Sequence, residues 1–275
     1  MNVTLRAIGR VIGVIVITAV LWNGAQLLAI SDDWSVLDTG KIGPTPRSAL
    51  LILLSFIGLV VGVLLGARLL HGWRPAQMIG PRGSFRRLAP RAFLIAGSAM
   101  CVTTAFGLWA SELPEARPFV PWLTFLPAAI AGVALQTFAE ELAFRGYLFR
   151  ALQAPLMGPL GAAILSSVLF AVLHFNAQAT AGANVVTISL ILVFSLCLTD
   201  LTWQSGSIIP AWIMHLCNNL IGIVIISVDG RLSGLSLWVA PETLATEVNP
   251  VSSLLDLALI LAVWYLIRRG LTRPA

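Results

Sequence analysis

The chain has 275 residues, of which 58% are hydrophobic and only 11% charged, with a net charge of +5. Soluble domains carry roughly 25% charged residues, so the composition excludes an ordinary water-soluble globule and points to a polytopic membrane protein. Arginines at membrane edges account for the positive balance without a nucleic-acid partner. Cys101, Cys197 and Cys217 all fall in apolar runs, which argues against a disulfide framework and against zinc-site spacing.

Read in chain order, runs of roughly 20 mostly apolar residues predict eight spans at about 8–30, 48–70, 92–111, 119–138, 157–175, 184–202, 207–228 and 252–269. The fold class expected is an all-α polytopic membrane bundle of about eight transmembrane helices, in a single domain over 1–275. Arg6 and Arg10 precede the first run as in a signal peptide. The run is long for one and lacks a clear small-residue cleavage site, so it reads as an anchor. With the N-terminus inside, 13 of the 17 basic residues fall on inner segments and four (Lys41, Arg47, Arg117 and Arg231) on outer loops. That asymmetry agrees with the positive-inside rule and puts both termini in the cytoplasm. The Arg-, Ala- and Leu-rich style points to a bacterial cytoplasmic membrane.

The second span carries Gly58, Gly62 and Gly66, a small-residue stripe of the kind that lets helices approach closely in lipid. The Arg-, Gly- and Pro-rich segment 71–91 reads as a cytoplasmic loop near anionic headgroups, with His71 at a membrane edge. Segments 31–47 and 229–250 hold Asp32, Asp33, Asp38, Asp229, Glu242 and Glu247 and read as solvated outer connections. Trp22, Trp34, Trp73, Trp109, Trp122, Trp203, Trp238 and Trp264 lie near span ends, as interfacial anchors do.

Three spans do not fit a purely lipid-facing role. The fourth runs into Ala139-Glu140-Glu141-Leu142-Ala143-Phe144-Arg145-Gly146, the fifth ends in Phe170-Ala171-Val172-Leu173-His174, and the seventh contains His215-Leu216-Cys217-Asn218-Asn219. Ionisable groups at membrane depth are costly and usually mark a functional site. Helical spacing places Arg145 on the face of Glu141, with the acid first, the better orientation. Glu140 points about 100° away. The spacing therefore predicts a structural Glu141 and a reactive Glu140. His215 and Asn219 share a face, and the Phe170 ring lies under the His174 imidazole. Simple counting leaves His174 nearer the outer end than Glu140. Moving the start of the fifth helix, carrying the fourth on through Leu148 or Leu152, or tilting or staggering the helices would bring the two level.

A carboxylate and an imidazole converging on one water can remove its proton and direct hydroxide at a carbonyl. A second histidine and an amide NH₂ can donate to the developing oxyanion. Taken singly, each histidine is equally a packing hydrogen bond and Asn219 reads as structural. The joint pattern is the specific signal.

At these residues the chain resembles the CAAX protease and bacteriocin-processing family of intramembrane endopeptidases, which includes the eukaryotic Ras-converting prenyl endopeptidase. The family's Glu-Glu-x-x-x-Arg matches Glu140, Glu141 and Arg145, followed by Gly146. Its Phe-x-x-x-His matches Phe170 and His174, and its His-x-x-x-Asn matches His215 and Asn219, in the same order. The resemblance implies an eight-span bundle with a water-accessible cavity. Glu140 and His174 would activate the water, His215 and Asn219 would hold the oxyanion, and Glu141 with Arg145 would keep the site in shape. It implies no required cofactor. The partners it implies are membrane lipids and a peptide substrate entering from bilayer or cytoplasm.

Several alternatives stand beside this. Glu140, His174 and His215 are a dispersed ligand set for a zinc-dependent version of the protease. A non-catalytic immunity or scaffolding protein, or a proton-coupled transporter, uses similar groups. Serine and aspartyl mechanisms fit worse, because Ser166, Ser167, Ser207, Asp200 and Asp256 lack the matching sequence context.

Overall fold

A computed structural model describes residues 3–30, 41–110, 116–230, 232–241 and 248–271. Asp32, Asp33, Trp34, Asp38, Arg231, Glu242, Glu247, Arg273 and the side chain of Trp109 lie outside the described residues. Among the described residues the architecture is helical apart from one pair of three-residue strands. The helices are α1 (Val3–Ile30), α2 (Pro46–His71), α3 (Pro75–Ile79), α4 (Ser84–Ala110), α5 (Phe119–Glu141), α6 (Phe149–Leu152), α7 (Gly158–Val172), α8 (Ala181–Ser205), α9 (Ile209–Leu220) and α10 (Pro250–Arg268). Six helical stretches among the described residues are long and apolar enough to cross a membrane. The fifth and seventh of the eight expected spans are shorter apolar helices, Gly158–Val172 and Ile209–Ile225. Large apolar side chains such as Leu28, Leu160 and Leu254 stay well exposed on the bundle exterior. In hydrocarbon such faces carry no penalty, so the chain is an integral multipass membrane protein.

Local chemistry sets the helix ends. Thr45 and Ser48 form a capping box ahead of Pro46 at the first turn of α2, and Gly72 closes the helix in the left-handed conformation. Along α2 the glycine stripe meets α1. A Cβ on Gly58 would lie 2.6 Å from the Leu21 carbonyl oxygen, and one on Gly62 would lie 2.6 Å from Thr18 Cα. Only a missing side chain permits that approach.

Helix α4 begins at Ser84, eight residues before the predicted span, so much of the expected 71–91 loop is helical. Ala89, Ala92 and Ala96 bury one stripe against Phe194, Leu198 and Ile213 while Arg82, Arg86, Arg87 and Arg91 stay exposed. Packing at this narrow alanine face overrides Pro90 inside the helix.

The expected solvated connection 229–250 is a packed cap between 232 and 241. Ser233, Leu235 and Ser236 are buried. β1 (Ile226–Val228) pairs in parallel with β2 (Trp238–Ala240). Backbone bonds tie the segment to Ile42, Gly43, Arg117 and Val224. Two of the expected interfacial tryptophans also fasten helices together. Trp122 donates to the Val224 carbonyl at 3.0 Å, and Trp264 donates to Asp200 at 2.9 Å.

Helix α5 does not stop near 138. Its helical path runs on through a π-turn, Leu142–Leu148, into α6, giving a 34-residue stretch from Phe119 to Leu152. At 1.5 Å per residue that is about 50 Å, longer than the roughly 30 Å hydrocarbon core, and the glutamates sit inside it. The chain reverses around Gly158, whose φ of 71° suits glycine, and Pro159 starts α7. Glu140 stands twelve residues before Leu152 and Phe170 twelve residues after Gly158. The two motifs therefore reach the same level.

Candidate active site

The π-turn carries the first motif. In it the Phe149 N–H reaches back five residues to the Phe144 carbonyl, a widened turn common at functional sites. Gly146 packs against α3: a Cβ there would stand 3.2 Å from the Met78 carbonyl oxygen.

Arg145 and Glu141 are both fully buried and share a 2.8 Å ion pair. The guanidinium also donates to Ser195 Oγ at 2.6 Å and to the Ser195 carbonyl at 3.3 Å, which ties the motif to α8. Its flat face lies 4.5 Å from the centre of the Phe170 ring, a cation–π contact in a desolvated setting.

His215 bridges the two carboxylates. Its Nδ1 is 2.8 Å from Glu141 Oε1, and its Nε2 is 3.5 Å from Glu140 Oε2. A carboxylate beside an arginine accepts, so Nδ1 carries a proton and Nε2 is the nitrogen that faces Glu140. Glu140 has a 14% exposed side chain, yet its Oε2 is buried without a hydrogen-bond partner. Asn219, one turn beyond His215, donates to Gln136 Oε1 at 3.0 Å.

His174 stands apart. It lies in the turn after α7, exposed, with Nδ1 2.9 Å from the Phe170 carbonyl. A carbonyl can only accept, so Nδ1 holds the proton and Nε2 keeps its lone pair for another group. The following loop is pinned by Asn184, whose amide bonds the Asn176 backbone twice at 2.8 Å. Among the described residues His174 makes no hydrogen bond or ion pair with either glutamate. Its link to the cluster is Phe170, whose ring is 4.9 Å from the His174 ring and 5.9 Å from the His215 ring.

The geometry thus brings Glu140, Glu141, Arg145, Phe170 and His215 into direct contact, joins Asn219 to the same face through Gln136, and leaves His174 at its rim. Sequence reasoning missed Gln136, Ser195 and Phe194, whose ring stacks edge-on against His215 at 5.7 Å. Gln136 was findable as a lone amide one turn before Glu140 in an apolar run. Ser195 gives no such signal, because serine in an apolar helix commonly bonds its own backbone.

The three competing serines and Asp200 have other partners. Ser166 donates to the Ala163 carbonyl, Ser167 meets Thr199, and Ser207 donates to the Ile79 carbonyl. Asp200 accepts from Gln204, Trp264 and Arg268, joining α8 to α10. Among the described residues no three His, Cys, Asp or Glu side chains gather to hold a metal. The dispersed set Glu140, His174 and His215 is not gathered in this way: the Phe170 ring stands against both imidazoles, at 4.9 Å from His174 and 5.9 Å from His215. An apolar cavity between α4, α8, α9 and α10 is lined by Met100, Cys217 and Asn218 and by neither glutamate.

Residues 121–221 match the family described as Rce1-like, type II CAAX prenyl endopeptidase Rce1-like. Over 100 residues the chain is 39% identical to uncharacterized protein YyaK of Bacillus subtilis (strain 168). That match covers 36% of this chain and 32% of the relative, so the chain spans about a third of it. No solved structure matches. The matched stretch starts ahead of Glu140 and ends just past Asn219, so the part of the chain that holds all three motifs is the part similar to the Rce1-like family of type II CAAX prenyl endopeptidases.

Proposed function

We propose that the protein is an intramembrane endopeptidase that hydrolyses a peptide bond in membrane-associated or lipid-modified peptides. The observation that carries the reading is the buried meeting of Glu140, Glu141, Arg145 and His215, inside the stretch that matches a prenyl endopeptidase family. An ionisable cluster of this size at membrane depth is costly, and such clusters mark functional sites.

In this reading Glu140 Oε2, buried and unpartnered, accepts a proton from the attacking water. His174, through its free Nε2, orients the same water from the rim. His215 Nε2 and the Asn219 amide donate to the oxygen of the tetrahedral intermediate. Arg145 balances the Glu141 carboxylate. Glu141 and Arg145 do not touch substrate; they fix the position of His215. No cofactor takes part. The partners are membrane lipids and a peptide that enters from the bilayer or the cytoplasm. The arginine distribution supports both termini on the cytoplasmic side of the membrane, in this reading a bacterial one.

The test uses purified protein in nanodiscs with an internally quenched farnesylated C-a-a-X peptide, its unprenylated twin, and mass spectrometry of the products. Glu140→Gln keeps the shape and loses the base, so turnover should fall by about 10²–10⁴-fold. Unchanged turnover in that variant would end the proposal. Turnover should also survive prolonged chelation. Loss on chelation, restored by zinc, would replace the metal-free mechanism.

A further inference from the structure

From the α5–α9 interface we infer that Gln136 is a positioning residue for the reaction, acting through Asn219. The inference rests on the reading of Asn219 as an oxyanion donor.

Gln136 and Glu140 are one turn apart on α5, as are His215 and Asn219 on α9. The helices run antiparallel, so two rungs form between them. Glu140 faces His215 at 3.5 Å, and Gln136 faces Asn219 at 3.0 Å. Gln136 is only 7% exposed. A carboxamide so buried is tolerated when it is hydrogen-bonded, and among the described residues its side-chain bond is the one from Asn219.

The Asn219 amide is held from both sides. Its Oδ1 accepts from Asn218 Nδ2 at 3.2 Å, and its Nδ2 donates one hydrogen to Gln136 Oε1. An asparagine amide has two N–H donors. Among the described residues the second has no partner, and it is the one left for an oxyanion. Because the NH₂ group is planar, fixing one N–H fixes the direction of the other. Gln136 therefore sets the aim of the donor without reaching the reacting atoms. Donors work in catalysis when they are aimed before the charge develops, and a small misplacement can cost a large factor in rate.

The experiment compares wild type, Gln136→Met, Asn219→Ala and the double variant in nanodiscs, with the farnesylated peptide as probe. Gln136→Met keeps the unbranched length and removes the acceptor, and Gln136→Leu serves if the first variant fails to insert. We expect kcat to fall about 10–100-fold with KM within about twofold, since the lost interaction belongs to the transition state. In the Asn219→Ala background the same change should cost nothing further, which a merely structural role would not produce. Gln136→Asn, whose amide is one methylene short of Asn219, should recover less than a tenth of the wild-type rate. A Gln136→Met turnover within twofold of wild type overturns the inference, as does a full additional loss in the double variant. Glu140→Gln separates the two ideas. If it is inactive while Gln136→Met is normal, only the positioning role fails. If Glu140→Gln cleaves like wild type, the protease reading itself fails.

Discussion

The Glu141–Arg145 pair can be tested for stability independently of any substrate. The two side chains are 1% and 0% exposed and 2.8 Å apart, which at an effective dielectric near 20 gives an attraction of about 6 kcal/mol. Desolvation consumes much of that, and removing one partner of a buried pair commonly costs about 3–5 kcal/mol. The partner count predicts which removal is worse. After Glu141→Gln the guanidinium keeps Ser195 Oγ, the Ser195 carbonyl and the Phe170 face. After Arg145→Met the Glu141 carboxylate keeps only His215 Nδ1, and its Oε2 already lacks a partner. Arg145→Met should therefore be the more damaging. At roughly 2–4 °C per kcal/mol for a chain of this size, its melting midpoint in detergent should drop by about 10 °C. The double variant Glu141→Gln/Arg145→Met removes both charges and should recover more than half of that loss. Tryptophan fluorescence on heating reads all three. Single variants melting within about 2 °C of wild type, or a double variant worse than the two losses added, would refute the electrostatic argument.

Other perturbations follow from the same contacts. Gly62→Leu should force α1 off α2, since even a Cβ would meet Thr18 Cα at 2.6 Å. The cost should be about 1–3 kcal/mol or more by thermal melt. Gly24→Ala, with nothing within 4 Å of its Cβ, should be neutral or stabilising by about 0.5–1 kcal/mol. Phe170→Leu removes the ring that contacts Arg145, His174 and His215. It should lower peptide turnover by about tenfold or more, since misplaced groups are costly, and the melt should show a folded protein. Asp200→Asn weakens a partly exposed bond to Arg268 (44% exposed). It should cost no more than about 1 kcal/mol and leave turnover within about twofold of wild type, as expected if no aspartyl chemistry operates here.

How much of this was legible in the sequence depended on the range of each interaction. The Gly58–Gly62–Gly66 stripe and the four-residue spacing of Glu141 and Arg145 are local patterns, and both contacts are present as that spacing dictates. His215 is different. Its contact with Glu141 joins residues 74 apart, and helical periodicity assigns a face but not a partner, so the sequence grouped His215 with Asn219 rather than with the glutamates. The extent of α5 was hidden for a related reason. Gly146 looks like a breaker, yet the π-turn over Leu142–Leu148 keeps the helix going, and Gly146 serves close packing against Met78. That continuation resolves the depth mismatch between Glu140 and the Phe170–His174 motif, because every residue added before the reversal moves the returning motif toward the glutamates. The cap at 232–241 had no signature at all. Its buried Ser233, Leu235 and Ser236 are held by backbone bonds to segments distant in sequence, and backbone bonds leave no trace in side-chain pattern. Function reads the same way. Ionisable groups such as Glu140 and His215 announce themselves by their cost in the membrane, whereas the bonds of Asn219 to Gln136 and of Arg145 to Ser195 are visible only once the helices are packed together.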